Sequence, residues 1–166
     1  EESLLMLSKI DSGTLLLKHE RVDPYTALNL VAENLNDLLQ DSHISIEIPE
    51  NGCIEFFGDL EWTMEAFINL MKNCMEHSQS GGIVHCDYSG NPLYAEIRIW
   101  DDGTGFYTED LPHLFDRFYR GKRAVGDGIG IGLALARSIF ELQNGTITAY
   151  NRRNGGACFE IRLYSH

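Results

Sequence analysis

The sequence predicts an α+β fold, a two-layer sandwich in which a mixed, mostly antiparallel sheet packs against helices. Three observations lead there. The chain has 166 residues, 43% of them hydrophobic and 23% charged, enough to bury one full core. Segments with helical periodicity are interspersed with segments that alternate with period two. The clearest strands come as consecutive pairs joined by turns rich in Gly and Asn, the pattern of hairpins.

In chain order, Leu4, Leu5, Leu7 and Ile10 mark the end of an amphipathic helix closed by Asp11-Ser12-Gly13. Leu15–Val22 reads as a strand. Asp23-Pro24 then opens a helix expected to run to about Gln40, with Asp as N-cap and Pro at the first helical position. Ile44–Ile48 alternates as a strand should, and Cys53–Phe57 forms a second short one. A long helix starts at Gly58-Asp59 and runs to about Ser78. Ser80-Gly81-Gly82 turns into Ile83–Tyr88, and Asn91-Pro92 turns into Tyr94–Trp100, a hairpin. A glycine-rich, irregular stretch follows from Asp101 to Gly130. Ile131–Leu142 is helical and ends at Asn144-Gly145. The last hairpin pairs Thr146–Tyr150 with Cys158–Leu163 around Asn154-Gly155-Gly156.

Composition narrows the function. With 13 basic and 25 acidic residues the net charge is −12, which argues against nucleic acid and anionic membrane surfaces as partners. No apolar run approaches the roughly 18 residues of a membrane span. The opening Glu1-Glu2, without an initiator Met or a signal pattern, suggests a piece of a longer protein. The cysteines Cys53, Cys74, Cys86 and Cys158 are widely spaced with no CxxC pair, so neither a zinc site nor a disulfide framework is expected. Scattered single histidines give no metal cluster. One basic knot stands out: Arg117, Arg120, Lys122 and Arg123 suggest a local anionic ligand, or simply a solvated loop.

Four segments carry chemistry. On the helix from Asp59 to Ser78, Leu60, Met64, Phe67, Met71 and Cys74 share the face expected to pack on the sheet. Asn69, Asn73, Glu76 and His77 fall opposite. That polar stripe is either a solvated face or a set of amide oxygens suited to Mg²⁺, which takes oxygen ligands and keeps several waters. Asp101-Asp102-Gly103-Thr104-Gly105 follows an apolar strand. Its spaced glycines allow close backbone approach to a flat ligand, and its aspartate can accept from an exocyclic amino group such as adenine's. Asp101 as a plain turn former is the alternative. Gly126–Leu133 alternates glycines straight into a helix, which frees backbone N–H groups to cradle an anion; a flexible hinge is the other reading. Leu114–Gly121 interleaves aromatics with arginines, as either a packed fragment or a cover for a phosphate tail.

In this order the four segments resemble the catalytic, ATP-binding domain of sensor histidine kinases. Asn69–Asn73 corresponds to that family's asparagine box, Asp101-x-Gly103-x-Gly105 to its first glycine box, and Phe115–Arg120 to its phenylalanine box. Gly128-x-Gly130-x-Gly132-Leu133 corresponds to the second glycine box. The match covers about residues 15 to 164, and Leu7–Gly13 resembles the end of the second dimerisation helix. Residues 1–14 are therefore expected to be the end of that helix and a linker, and 15–166 the ATP-binding domain.

The resemblance implies a Bergerat-type fold, shared by topoisomerases, a class of heat-shock chaperones and mismatch-repair ATPases. It implies that Asn73 ligates Mg²⁺ with support from Asn69, and that Asp101 reads the adenine amino group. Gly103 belongs to the same box, and Gly105 and Phe106 would pack beside the base. His77 takes the place of a frequent adenine-stacking tyrosine. Tyr119 and Arg120 would reach the phosphates, with Gly128, Gly130, Gly132 and Leu133 cradling them. The partners implied are a histidine-bearing dimerisation domain and a response regulator receiver domain. The location implied is cytoplasmic, in a parent anchored to the membrane.

Three departures qualify this. Glu76 stands where many relatives carry Lys or Arg, so it is expected to point away and leave the phosphates to Arg117–Arg123. The segment from Arg120 to Gly128 is short for a lid, so its closure over ATP is expected to be incomplete without a partner domain. The Phe115–Gly128 region is expected to be the most mobile part of the free chain and to order only when phosphates arrive. The phosphoacceptor box is missing; His19-Glu20-Arg21-Val22-Asp23-Pro24 imitates it but lies in a strand or linker, so the chain alone should not phosphorylate itself. A nucleotide-dependent regulatory or binding module of the same superfamily, anti-sigma-like or a degenerate kinase, is the alternative.

Overall fold

In the computed structural model, which describes residues 2–121 and 130–165, the main sheet has five strands. These are β2 (Ser45–Glu47), β4 (Ile83–Gly90), β5 (Tyr94–Trp100), β6 (Gly145–Asn151) and β7 (Ala157–Tyr164), in the spatial order β2-β4-β5-β7-β6. Only the β2–β4 pairing is parallel. The rest is antiparallel, with Ile97 opposite Ile161 and Ile99 opposite Phe159 in the β5–β7 register. The expected α+β two-layer sandwich is observed.

The helical layer contains α4 (Leu60–Glu76) and α5 (Gly132–Leu142), with α1 (Glu2–Asp11), α2 (Pro24–Asn34) and α3 (Asn36–Ser42) around them. Phe67, Leu70 and Met71 of α4 are fully buried, as are Leu135, Ile139 and Phe140 of α5. Phe67 and Phe140 meet with ring centroids 5.9 Å apart. Helix α1 packs on α5 and buries Leu7. The opposite face of the sheet is polar, where Arg98 reaches Glu96 at 2.9 Å and Glu160 at 3.1 Å, and Arg162 reaches Glu96 at 3.1 Å.

Helix α4 is placed by its first turn. Asp59 caps it, accepting from the Trp62 N–H at 3.1 Å and from the Lys18 N–H at 2.9 Å. Buried Gln143, just after α5, accepts from the Asp59 N–H at 2.6 Å and the Thr63 hydroxyl at 3.2 Å. The start of α4 and the end of α5 are thereby pinned together.

Three expected elements differ. The strand expected over Leu15–Val22 shrinks to β1 (Glu20–Val22), because the Lys18 N–H goes to the Asp59 carboxylate instead of a ladder. The segment expected at Cys53–Phe57 becomes β3 (Phe56–Gly58), which pairs with β1 in a separate two-stranded sheet. The single helix expected to about Gln40 breaks at Leu35 (φ −91°, ψ 5°) into α2 and α3. Asn34 and Asn36 flank the break, and asparagine is a poor helix former. Cys74, Cys86 and Cys158 are buried and Cys53 is exposed, all as free thiols. Among the described residues no helix is long and apolar enough to cross a membrane.

Candidate functional site

Strand β5 delivers Asp101 at its end, where the residue is fully buried. Its Oδ1 accepts from the Gly103 N–H at 2.9 Å and the Ala157 N–H at 3.3 Å. Its backbone N–H donates to the Ala157 carbonyl at 3.1 Å. Oδ2 is buried and, among the described residues, has no hydrogen-bond partner. Leaving a buried acceptor unpaired is costly, and the neighbour on its own chain is the buried Cys74 thiol, a weak donor, so this oxygen retains capacity for a stronger one. Burial raises the Asp101 pKa, against the opposing pull of the Gly103 and Ala157 N–H groups and of His77. The Cys74 thiol is pushed up strongly, first by burial and then by the Asp101 charge.

The loop after Asp101 is held closely on two sides. Gly103 packs on the His77 carbonyl, which a Cβ would approach to 2.5 Å. Gly105 is left-handed (φ +82°), and a Cβ there would lie 2.5 Å from Asn151 Oδ1, so only glycine fits. Asn151 holds the next residue by both backbone groups, accepting from the Phe106 N–H at 2.7 Å and donating to its carbonyl at 3.0 Å. The Phe106 ring meets His77 edge-on at 6.2 Å and Phe159 at 5.7 Å. Gly156 (φ +94°) lies against the Asp101 carbonyl so tightly that a Cβ would overlap it. Asp101, His77, Gly103, Gly105 and Phe106 thus converge at one end of the sheet.

On the polar face of α4, Asn69 donates to the Gly132 carbonyl at 3.1 Å, which ties the helix to the start of α5. Asn73 is half-buried, and its side chain makes no hydrogen bond among the described residues. Burial raises the Glu76 pKa while the charges of Lys72 and Arg120 oppose it. Glu76 is exposed on this helix, within electrostatic reach of Arg120. Leu133 packs partly buried against the core.

The aromatic–arginine segment is docked by Phe115, which meets Phe159 at 6.4 Å. The Phe118 N–H donates to the Gly130 carbonyl at 2.7 Å, which joins this segment to the second glycine-rich one. Tyr119 donates to the buried Asp110 at 2.5 Å and stacks on His113 at 5.1 Å. Arg117 forms a two-pronged pair with Asp11 at the end of α1, both bonds 2.7 Å long. The structure therefore engages Arg117 with α1 and Tyr119 with Asp110. Gly128, Lys122, Arg123 and most of the expected lid lie outside the described residues.

Asn151, Gly156, Ala157 and Asp110 were missed by sequence reasoning. The first three belong to the β6–β7 hairpin, whose Asn154-Gly155-Gly156 reads as an ordinary turn. Nothing local shows that Gly156 lies on Asp101, a contact across 55 positions of sequence.

A mixed sheet on helices, a buried carboxylate with one oxygen unpaired at a strand end, and a carboxamide-bearing helix tied to a glycine-rich helix start define a nucleotide-binding α+β sandwich. The chain belongs to the family of histidine kinase-, DNA gyrase B- and HSP90-like ATPases, whose description matches residues 58–165. It is 34% identical to the sensor protein SphS of Synechococcus elongatus over 98% of this chain and 42% of that protein. It is 32% identical to the sensor protein KdpD of Escherichia coli over 97% of this chain and 18% of that protein. The chain spans less than half the length of these curated relatives. Among solved structures, the Acinetobacter baumannii histidine kinase AdeS superimposes with a TM-score of 0.81 at 24% identity, covering 99% of this chain and 76% of that one. The ATP binding domain of PrrB from Mycobacterium tuberculosis gives 0.70 at 25% identity, covering 90% and 98%.

Proposed function

We propose that this chain binds Mg²⁺-ATP and donates its γ-phosphoryl group to a histidine on a separate dimerisation domain, as the catalytic part of a sensor histidine kinase. The observation that carries the reading is Asp101, whose unpaired buried Oδ2 suits the exocyclic amino group of adenine. Gly103 and Gly105 let the backbone close on the base, and Phe106 and His77 supply flat apolar surface beside it. Asn73 offers an unengaged amide oxygen for Mg²⁺, and Asn69 holds the adjoining helix start in place. When bound, the metal neutralises phosphate charge as phosphoryl transfer requires. Tyr119, Arg120 and Arg117 with Gly128, Gly130, Gly132 and Leu133 serve the phosphates. Catalysis by the chain is then positioning of the γ-phosphate and exclusion of water around it.

The sensor-kinase names of the relatives favour this reading over a regulatory binding module. In it, helix α1 is the end of a dimerisation helix, the downstream partner is a response regulator receiver domain, and the site faces the cytoplasm. The deciding experiment supplies a dimerisation domain and ATP labelled at the γ-position. Transfer of label to the supplied histidine is expected; nucleotide binding without transfer would favour the binding module.

A further inference from the structure

Asn151 belongs to none of the four motifs, yet it fixes the wall of the site opposite Asp101. Its carboxamide accepts from the Phe106 N–H at 2.7 Å and donates to the Phe106 carbonyl at 3.0 Å. It thus does for Phe106 what a neighbouring strand would do, in a stretch that has no strand of its own. From the same hairpin, Gly156 abuts the Asp101 carbonyl and Ala157 exchanges two hydrogen bonds with Asp101. One hairpin therefore sets both the carboxylate and the aromatic ring five positions later.

We propose that Asn151 is a positioning residue for base recognition, holding the Phe106 ring in register with the Asp101 carboxylate so that a purine is read by edge and face together. The proposal rests on the nucleotide reading above. On that reading a base that donates to Asp101 also packs against the edge of the buried Phe106 ring, and the two contacts agree only if the spacing of Asp101 and Phe106 is fixed. Without Asn151 the Phe106 backbone loses both of its tethers while Asp101 keeps its own. The side chain of Asn151 is exposed, so its removal opens no core cavity. The hairpin keeps its other supports: the Arg152 N–H donates to the Gly156 carbonyl at 2.9 Å, and the Arg152 guanidinium lies 4.9 Å from the centre of the Trp100 ring.

The test compares ATP with inosine triphosphate, which lacks the amino group, by titration calorimetry on the whole chain with Mg²⁺. The unsubstituted chain is expected to prefer ATP. Asn151→Ala should weaken ATP binding about tenfold, the loss of two ordinary hydrogen bonds, and weaken inosine triphosphate binding less, so the preference shrinks. Asn151→Asp keeps the acceptor for the Phe106 N–H but turns a lone pair on the Phe106 carbonyl, and should also lose preference. Thermal melting checks that each variant is folded, and should Asn151→Ala not fold, Asn151→Asp decides alone. A folded variant that keeps the parental preference, or that weakens both nucleotides by one common factor, overturns the proposal. Failure of the unsubstituted chain to bind ATP, or to prefer it, overturns the underlying nucleotide reading and the proposal with it.

Discussion

The side-chain amide of Asn69, in the middle of α4, donates a 3.1 Å hydrogen bond to the carbonyl of Gly132, the first residue of α5. The polar face of one helix is thereby fastened to the point where the glycine-rich segment becomes another. Asn73 lies one turn further along α4, so the carboxamide proposed for the metal and the helix start proposed for the phosphates share one reference point. Buried Gln143 fastens the far ends of the same two helices. Between these two ties the helices touch through apolar side chains such as Phe67 and Phe140.

Replacing Asn69 by Ala should loosen the start of α5 without emptying the core. One neutral, half-buried hydrogen bond is worth about 1 kcal/mol. In a domain of this size that lowers the melting temperature by roughly 2–4 °C, measurable by calorimetry. ATP affinity should fall as well, because the phosphate end of the site loses its anchor. An unchanged affinity alongside the lower melting point would confine Asn69 to stability.

Asp101→Asn should separate function from stability. The substitution puts an amide where a carboxylate oxygen awaits a donor, so ATP affinity is expected to drop about tenfold or more, equivalent to about 1.5–3 kcal/mol for a charge-assisted bond. Unchanged affinity would remove the adenine assignment. Stability should move the other way. The raised pKa of Asp101 means that the folded chain takes up this proton before the unfolded chain does as the pH falls. Ionised Asp101 therefore costs stability at neutral pH, and the cost disappears as the pH falls through the raised value towards about 4. In the absence of nucleotide the Asn variant should melt no lower than the parent at pH 7, with its relative advantage narrowing in acid. Melting curves across that range decide it.

The contrast between Asp101 and Asn151 shows what was legible in the sequence. Asp101 announces itself because a carboxylate, two spaced glycines and a preceding apolar strand are all local. The helices that present Asn73 and Gly132 are equally local, written in periodicity and caps. Asn151 acts on Phe106 across 45 positions, and Arg117 reaches Asp11 across 106. Such pairs are created by the fold, so no neighbouring residue signals them. The shortened β1 has the same cause: Lys18 is bonded by Asp59, 41 positions away, and strand propensity over Leu15–Val22 yields to that contact.

The pair between Arg117 and Asp11 predicts a dependence on salt. The Arg117 guanidinium holds the Asp11 carboxyl below its usual range, and both side chains are substantially exposed. If Arg117 serves phosphates, Asp11 competes with them for it. Asp11→Asn should then strengthen ATP binding by about two- to threefold at low ionic strength. At 1 M salt, where the screening length is about 3 Å, the gain should vanish. Equal affinities for Asp11→Asn and its parent at low salt would assign Arg117 to α1 alone.

His19 provides the last prediction. It precedes Glu20, which pairs with Gly58 across the two-stranded sheet, and its ring stacks on Phe57 with centroids 5.1 Å apart and planes 15° from parallel. An acceptor imidazole must be presented in line with the γ-phosphate, and productive attack tolerates only small errors in distance and angle. A histidine stacked on one strand and followed directly by another has no freedom to travel to the far end of the sheet, where Asp101 lies. The isolated chain, incubated with ATP labelled at the γ-position, should therefore acquire no acid-labile, alkali-stable phosphate. Adding a histidine-bearing dimerisation domain should restore transfer, because the added domain supplies the positioning that His19 lacks. Label mapped to His19 in the isolated chain would show that the β1–β3 pairing opens, and would move the boundary of the catalytic domain beyond residue 19.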